Sequence, residues 1–243
     1  MRPPAAGVGA VWQDAHVEAD RQRWDDRYEG ATLASPRPPD VLDGAEELEV
    51  LLPSGGTAVD IACGTGGQSM WLAGLGFDVR AIDVSPVAVE LTRSAAAAHG
   101  FAGRIDARVV DLDDGLPADL HDVAVVVCQR FRGRDLYGPI VDVLQPGGVA
   151  IVSVLSVVGV EGQPGEFHAP AGELLDAFTR PEVEIVHHAE EKGLASIVVV
   201  RRGQPFATRA SRSTARSTAP GRVVARKSTS TSLKRSGSST CGK

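Results

Sequence analysis

Long apolar runs, clustered cysteines and aromatic residues are all scarce in this sequence of 243 residues. No stretch approaches the roughly 18 apolar residues that a membrane-spanning helix needs, and residues 1–16 lack the apolar core of a secretion signal. Cys63, Cys128 and Cys241 are odd in number and far apart, which suits neither a disulfide framework nor a zinc site. These absences favour a cytoplasmic protein with reduced thiols, and we predict no bound metal.

Acidic residues are missing from the last part of the chain. Residues 201–243 contain 11 of the 25 Lys and Arg residues and no Asp or Glu, so residues 1–200 carry a formal charge of −17. We predict disorder for residues 203–243, which cannot form a core, and for residues 1–10. The basic tail could bind a polyanion. Alternatively, it is an artefact of translation in a different reading frame past the last strand. Its one aromatic residue, Phe206, and the acidic body argue against nucleic acid as a partner.

Strand-like and helix-like segments alternate from Thr57 onward. The strand-like segments are apolar throughout, which is typical of parallel strands covered by helices on both faces. The predicted strands are 57–62, 78–82, 105–110, 123–128, 149–155, 183–188 and 194–200, and the predicted helices are 67–76, 86–99, 136–144 and 170–178. A turn is expected at Gln145–Gly148. We therefore predict an α/β domain over residues 57–202, in which ligands bind at the carboxyl ends of the strands.

A helical region precedes this domain. Aromatic and apolar residues between Val11 and Tyr28 recur at helical spacing, so a helix is predicted there. After a Pro-rich break, Asp40 is expected to cap a second helix that continues to Leu52. We assign residues 11–56 to this N-terminal region.

The first predicted strand ends in a glycine-rich loop, Asp60-Ile-Ala-Cys-Gly-Thr-Gly66. Gly64 and Gly66 allow the backbone to turn tightly and to approach a ligand, and the next helix points its positive N-terminus at the same place. A dinucleotide motif needs a third glycine where this chain has Ser69, so the match to nicotinamide-cofactor enzymes is incomplete. An acidic residue before the glycines favours a cationic ligand.

Two further acidic residues follow the next two strands. Asp83 stands 19 residues after Gly64, where a carboxylate can accept both hydroxyls of an adenosine ribose. Asp111 ends the third strand, placed for an adenine amino group, with Leu112 against the ring. Any one of these acids can equally be a helix cap or a solvated turn. Acids at the ends of three consecutive strands favour an adenosine-containing cation such as S-adenosylmethionine (SAM) over NAD.

Together with Asp122 and Leu144-Gln-Pro-Gly-Gly148, these motifs resemble those of class I SAM-dependent methyltransferases over about residues 57–155. The resemblance implies a Rossmann-like α/β fold, a seven-stranded, mostly parallel sheet with order 3-2-1-4-5-7-6. It also implies an antiparallel last strand, helices on both faces and an N-terminal helical lid. More narrowly, Trp24-Asp-Asp-Arg-Tyr28, Arg108–Asp113 and Gly172-Glu-Leu resemble the tellurite-resistance and thiopurine methyltransferase branch.

By this resemblance SAM is the cofactor and a small molecule is the methyl acceptor. The residues expected to bind the cofactor are Asp60, Ala62, Cys63, Gly64, Thr65, Gly66, Asp83, Val84, Asp111, Leu112 and Cys128.

The acceptor is expected over the end of the fourth strand, at Cys128-Gln-Arg-Phe131. Enzymes that methylate nucleic-acid bases usually carry Asn or Asp-Pro-Pro-aromatic there, so this departure argues against a base as acceptor. We expect Arg27 and Arg130 to face the pocket and to position a small anionic or soft acceptor, such as a thiol or a chalcogen oxyanion. The alternative is that Arg27 pairs with Asp26 or Glu29 and that Arg130 lies in solvent.

No general base is expected, because the sulfonium provides a good leaving group and the acceptor mainly needs positioning. His168 can take a proton from a harder acceptor, or be a loop histidine without a chemical role, which we favour. His187 and His188 are neighbours in a predicted strand and point to opposite faces, so they do not form a metal clamp. Two other functions stay open: a nucleic-acid-associated methyltransferase that uses the basic tail, and a SAM-binding regulatory protein without catalysis.

Overall fold

The computed structural model describes the backbone of residues 8–203 and the side chains of residues 18–203. Its centre is a seven-stranded sheet with the order β3-β2-β1-β4-β5-β7-β6, as predicted. All neighbouring pairs up to β4–β5 are parallel, whereas β7 is antiparallel to both β5 and β6. The strands are β1 Thr57–Ile61, β2 Asp78–Asp83, β3 Ile105–Val109, β4 Val123–Gln129, β5 Leu144–Leu155, β6 Val183–Glu191 and β7 Leu194–Arg201.

Helices cover the two faces of the sheet. They are α1 Val8–Tyr28, α2 Glu46–Glu49, α3 Gly67–Gly74, α4 Pro86–Ala98, α5 Tyr137–Val143 and α6 Glu173–Phe178. The central strand β4 explains why both faces need a cover: Val126 and Cys128 pack in the cluster that contains α5 and α6, whereas Val125 and Val127 pack in the cluster that contains α3 and α4. No helix within residues 8–203 combines the length and the apolar character that a membrane crossing requires.

The segment after the Pro-rich break differs from the prediction. In place of one helix capped by Asp40, the chain forms a 3-10 turn, Asp40–Leu42, followed by the single-turn helix α2. Gly44 lies between them with φ +74°, a left-handed conformation that interrupts a helix. Pro39 precedes the turn without a side-chain cap, so the expected capping role of Asp40 was wrong.

Smaller differences concern the ends of elements. Helix α1 begins at Val8 and therefore includes residues 8–10, for which disorder was predicted. The turn predicted at Gln145–Gly148 is a bulge within β5, because Val123 pairs with Leu144 while Val125 pairs with Val149. The predictions of disorder for residues 1–7 and 204–243 lie outside the described residues.

Candidate functional site

The loop between β1 and α3 needs glycine at two positions, for different reasons. Gly64 and Gly66 have φ values of +53° and +84°. A Cβ at Gly64 would lie 2.9 Å from the Tyr28 hydroxyl, and a Cβ at Gly66 would lie 2.7 Å from Cγ2 of Thr92 in α4. Gly66 is thus required for packing against α4, and its predicted contact with a ligand stays a prediction.

Two side chains fix the position of this loop. The Thr92 hydroxyl donates to the Gly64 carbonyl oxygen at 2.9 Å. Asp83, at the end of β2, accepts from the Gly64 N–H through Oδ2 and from the Ser85 N–H through Oδ1, both at 2.9 Å. Asp83 is only 5% exposed, and burial raises the pKa of its carboxyl group. The residue predicted to bind a ribose therefore also orients the glycine loop.

Asp60, near the end of β1, is more deeply buried and has fewer partners. It is 2% exposed, and its Oδ2 accepts from the Ser69 hydroxyl at 2.6 Å. Burial raises the pKa of Asp60 to about 7, against the opposing effect of the Ser69 hydrogen bond. The serine that breaks the dinucleotide motif thus donates to the acid of the loop.

Asp111 lies two residues beyond the end of β3 and caps a 3-10 turn, Leu112–Asp114. Its carboxylate accepts from the Asp113 N–H at 2.9 Å. Leu112 is buried beside it. The helix-cap interpretation and the cofactor interpretation of Asp111 are therefore compatible, because the side chain also lines the cavity described below.

Helix α1 lies over the glycine loop. Trp24 and Tyr28 stack with ring centroids 6.1 Å apart, and burial raises the pKa of Tyr28 to about 12. Asp25 accepts a short hydrogen bond from the Ser85 hydroxyl and lies 3.5 Å from the Val87 N–H, so it joins α1 to the start of α4. No spacing rule relates residue 25 to residue 85, and the sequence did not single out Asp25.

Arg23, the neighbour of Trp24 in α1, contacts the loop that follows β5. The Arg23 guanidinium lies 3.1 Å from Glu166 and 5.4 Å from the centroid of the Phe167 ring. Both are surface contacts, since the two charged side chains are 51% and 70% exposed. They connect α1 to Phe167, which lines the same cavity as Arg23.

The two predicted arginines have different surroundings. The Arg27 guanidinium lies 5.7 Å from the centre of the Trp24 ring, and it forms no ion pair with Asp26 or Glu29 among the described side chains. Arg130 follows β4 with φ +58° and donates to Asp40 Oδ2 at 2.8 Å. Asp40, expected to cap a helix, is instead an ion-pair partner of Arg130.

These groups surround one cavity of about 620 Å³, a volume within the usual range for small-molecule sites. Eleven of the thirteen predicted site residues line it: Arg27, Asp60, Ala62, Cys63, Gly64, Thr65, Asp83, Val84, Asp111, Leu112 and Arg130. Gly66 and Cys128 do not. Lining residues that the sequence did not indicate include Arg37, Gln68 and Phe167.

Among the described residues, Cys63, Cys128 and His168 are the cysteines and the histidine that the sequence placed near this cavity. Burial raises the pKa of Cys63 well above its usual range and that of Cys128 to about 12, so neither is a thiolate near neutral pH. Cys128 lies in the core and its thiol contacts the Phe131 carbonyl oxygen. His168 contacts the Gly165 carbonyl oxygen at 3.1 Å and does not line the cavity. Within the described residues no three His, Cys, Asp or Glu side chains are grouped as metal ligands.

Residues 58–148 match a family model described as a methyltransferase domain. A probable cobalt-precorrin-6B C(15)-methyltransferase (decarboxylating) from Methanothermobacter thermautotrophicus is 33% identical over 100 residues, or 40% of this chain. The match covers 52% of that relative, so the chain spans about half of its length.

Two solved structures share the fold. Geranyl diphosphate C-methyltransferase from Streptomyces coelicolor A3(2), in complex with Mg²⁺, geranyl diphosphate and S-adenosyl-L-homocysteine, is 15% identical with a TM-score of 0.58, over 83% of this chain and 100% of that chain. TehB from Haemophilus influenzae is 17% identical with a TM-score of 0.55, over 68% of this chain and 62% of that chain. Residues 58–148 are thus similar to a methyltransferase domain, and the sheet has the strand order that the resemblance to class I SAM-dependent methyltransferases implied.

Proposed function

We propose that the chain is a SAM-dependent methyltransferase that acts on a small-molecule acceptor, and that residues 57–202 bind SAM while residues 11–56 form a lid. The observation that carries the proposal is a pair of buried carboxylates, Asp60 and Asp83, that line a cavity and form no ion pair among the described side chains. Buried acids without a cationic partner are costly. A ligand with a positive charge would offset that cost, and SAM carries both a sulfonium and an ammonium group.

The same cavity has the groups that an adenosine needs. Asp83 uses one acceptor site of each carboxylate oxygen within the protein, and further lone pairs stay free for ribose hydroxyls. Asp111 and Leu112 offer a polar and an apolar contact for adenine. The glycine loop and Tyr28 would enclose the amino-acid end.

We propose a soft acceptor, either a thiol or a chalcogen oxyanion. Arg27 and Arg130 line the cavity and can hold an anionic group. When bound, SAM supplies a methyl group on a sulfonium: the acceptor sulfur forms the new S–C bond as the sulfonium–methyl bond breaks, and the thiol proton passes to water. The chain's own contribution is positioning and exclusion of water, which suffices for such a nucleophile. We also propose that the nearest branch is that of the tellurite-resistance and thiopurine methyltransferases.

The test combines binding with turnover. Calorimetric titration of the full chain with SAM measures binding, and S-adenosylhomocysteine formation with thiols, selenite, tellurite and amines measures transfer. We expect SAM binding, transfer to a soft acceptor, and a loss of acceptor turnover in Arg27→Ala and Arg130→Ala. Arg104→Gln, which removes an exposed charge outside the cavity, serves as the matched control. Binding without product formation for any acceptor would instead indicate a regulatory SAM-binding protein.

A further inference from the structure

A second cavity, of about 570 Å³, lies against the face of β5, β7 and β6. Its floor contains Ser153, Ser196 and Ala189, which are cross-strand neighbours on that face. The 3-10 turn at Asp40 and the β6–β7 turn at Lys192 complete its wall. Apart from Arg130, the proposed function uses none of the residues that line this cavity.

The two cavities share part of their walls. Asp40, Gln129, Arg130 and Leu155 line both, so these residues form a shared boundary of the two spaces. The side chains of this shared wall are not held equally strongly by their hydrogen bonds and ion pairs. Gln129 donates to the Cys128 and Ile151 carbonyl oxygens, both at 3.2 Å, and accepts from the Ser153 hydroxyl at 3.0 Å.

The ion pair is the weaker part of this wall. Arg130 and Asp40 are joined at 2.8 Å, but their side chains are 59% and 40% exposed. Exposed pairs of this kind contribute little to stability, because water screens them and holding two side chains costs entropy. A ligand anion on Arg130 can therefore displace Asp40 at small cost, and Gln129 can stay in place.

We propose that the second cavity is an acceptor subsite. Asp40 pairs with Arg130 at the position where an anionic group of the acceptor would bind. The inference rests on the proposed methyltransferase function and extends it to the class of acceptor. Because Arg130 lines both cavities, the anionic group would lie between the reacting sulfur and the rest of the acceptor. The acceptor is then longer than a simple oxyanion.

The charges of the second cavity indicate what enters it. Its one lysine, Lys192, lies 3.5 Å from Glu191, so the two charges offset each other. Apart from the shared residues Asp40, Gln129 and Arg130, the other polar groups are the Ser153 and Ser196 hydroxyls and the His187 ring. Neutral hydrogen-bonding groups suit such a lining. We therefore expect a thiol with a nearby carboxylate and a neutral amide extension.

Three thiols test the contributions of the carboxylate and of the amide separately. N-acetylcysteine has the thiol, the carboxylate and an amide; 3-mercaptopropionate lacks the amide; N-acetylcysteamine lacks the carboxylate. Each is titrated calorimetrically into the full chain saturated with S-adenosylhomocysteine, with turnover of SAM as a second readout. We expect N-acetylcysteine to bind about fivefold tighter than 3-mercaptopropionate and about tenfold tighter than N-acetylcysteamine. Inorganic phosphate as a competitor shows whether Arg130 accepts phosphate as well as carboxylate.

Substitutions in the shared wall and in the second cavity test where the carboxylate and the amide of the thiol bind. Arg130→Gln should reduce N-acetylcysteine to the affinity of N-acetylcysteamine, whereas Asp40→Asn should tighten the two acids about two- to fivefold and leave N-acetylcysteamine unaffected. Ala189→Phe should fill the second cavity and abolish the advantage of N-acetylcysteine over 3-mercaptopropionate. Glu184→Phe, at an exposed position of the same strand outside both cavities, is its control.

The outcomes are distinguishable. If S-adenosylhomocysteine does not bind, the proposed function fails and the subsite fails with it. If it binds and soft acceptors are methylated, but Ala189→Phe and Asp40→Asn leave the ranking of the three thiols unaltered, the subsite alone is overturned. Thermal unfolding of each variant confirms that a changed ranking does not reflect loss of the fold.

Discussion

Asp60 and Asp83 are both buried acids beside the glycine loop, yet their hydrogen bonds give them different properties. Asp83 accepts two backbone N–H groups, which favour its charged form and partly offset the effect of burial. Asp60 accepts one hydroxyl, from Ser69, and burial raises its pKa to about 7. Asp83 therefore orients the loop through both of its carboxyl oxygens, whereas Asp60 has a pKa near neutral pH.

Asp60→Asn tests this difference through the pH dependence of stability. A raised carboxyl pKa means that the folded chain binds an extra proton between pH 3.8 and about 7, so Asp60 makes the wild type less stable as the pH rises through that window. Each pKa unit corresponds to about 1.4 kcal/mol, so above pH 7 the charged Asp60 lowers the free energy of unfolding by on the order of 4 kcal/mol. The Asn variant lacks this penalty.

Urea unfolding of both proteins between pH 4.5 and 8.5 measures the effect. The free energy of unfolding of Asp60→Asn minus that of the wild type should increase up to about pH 7 and then stay constant. Ser69→Ala is the control, because loss of the hydroxyl donor should extend the decline of the Asp60 protein to higher pH. A difference that is independent of pH would mean that Asp60 does not titrate in this range.

At the scale of elements, the strands were the most predictable part of the molecule. The segments that became β1, β2 and β4 are short and apolar and end at turns, so their bounds were right to within one residue. The region from Asp40 to Leu52 was not predictable, because its helical pattern gives way to a glycine with positive φ and to tertiary contacts. Asp40–Arg130 joins residues 90 positions apart, which no local pattern encodes.

The contact between α1 and the loop after β5 carries a prediction about ligand release. Arg23 of α1 touches both Glu166 and Phe167. Exposed contacts of these types are worth about 0.5 kcal/mol each, or about 1 kcal/mol together. Arg23→Ala should therefore leave global unfolding nearly unaltered, yet speed S-adenosylhomocysteine dissociation up to about fivefold.

Stopped-flow tryptophan fluorescence can follow this dissociation, since Trp24 lines the cavity. Hydrogen exchange across residues 18–28 should also become faster in Arg23→Ala. Arg21→Ala is the matched control, because Arg21 pairs with Glu18 within the same helix at 3.2 Å. Equal dissociation rates for the two variants would show that the Arg23 contacts do not hold α1 over the cavity.

At the scale of the whole molecule, the charges that line the first cavity distinguish between a small-molecule acceptor and a nucleic acid. Six aspartates line the first cavity, against four arginines, and two of those arginines contact Asp40. Such a site suits a cationic cofactor and one small anionic group, and a polyanion would meet many unpaired acids. The basic residues of the last 43 positions are therefore the main feature that favours nucleic acid.

Removal of residues 204–243 tests that feature directly. The deletion takes away nine basic residues and no acidic ones, so the formal charge falls from −6 to −15. We expect SAM affinity and small-acceptor turnover to stay the same, because every lining residue of both cavities lies before residue 204. Retention on single-stranded nucleic acid by the full chain should be weak and should vanish between about 50 and 200 mM salt, as counterion release predicts. Methylation of a nucleic acid by the full chain, lost on truncation, would instead make the basic segment part of the substrate site.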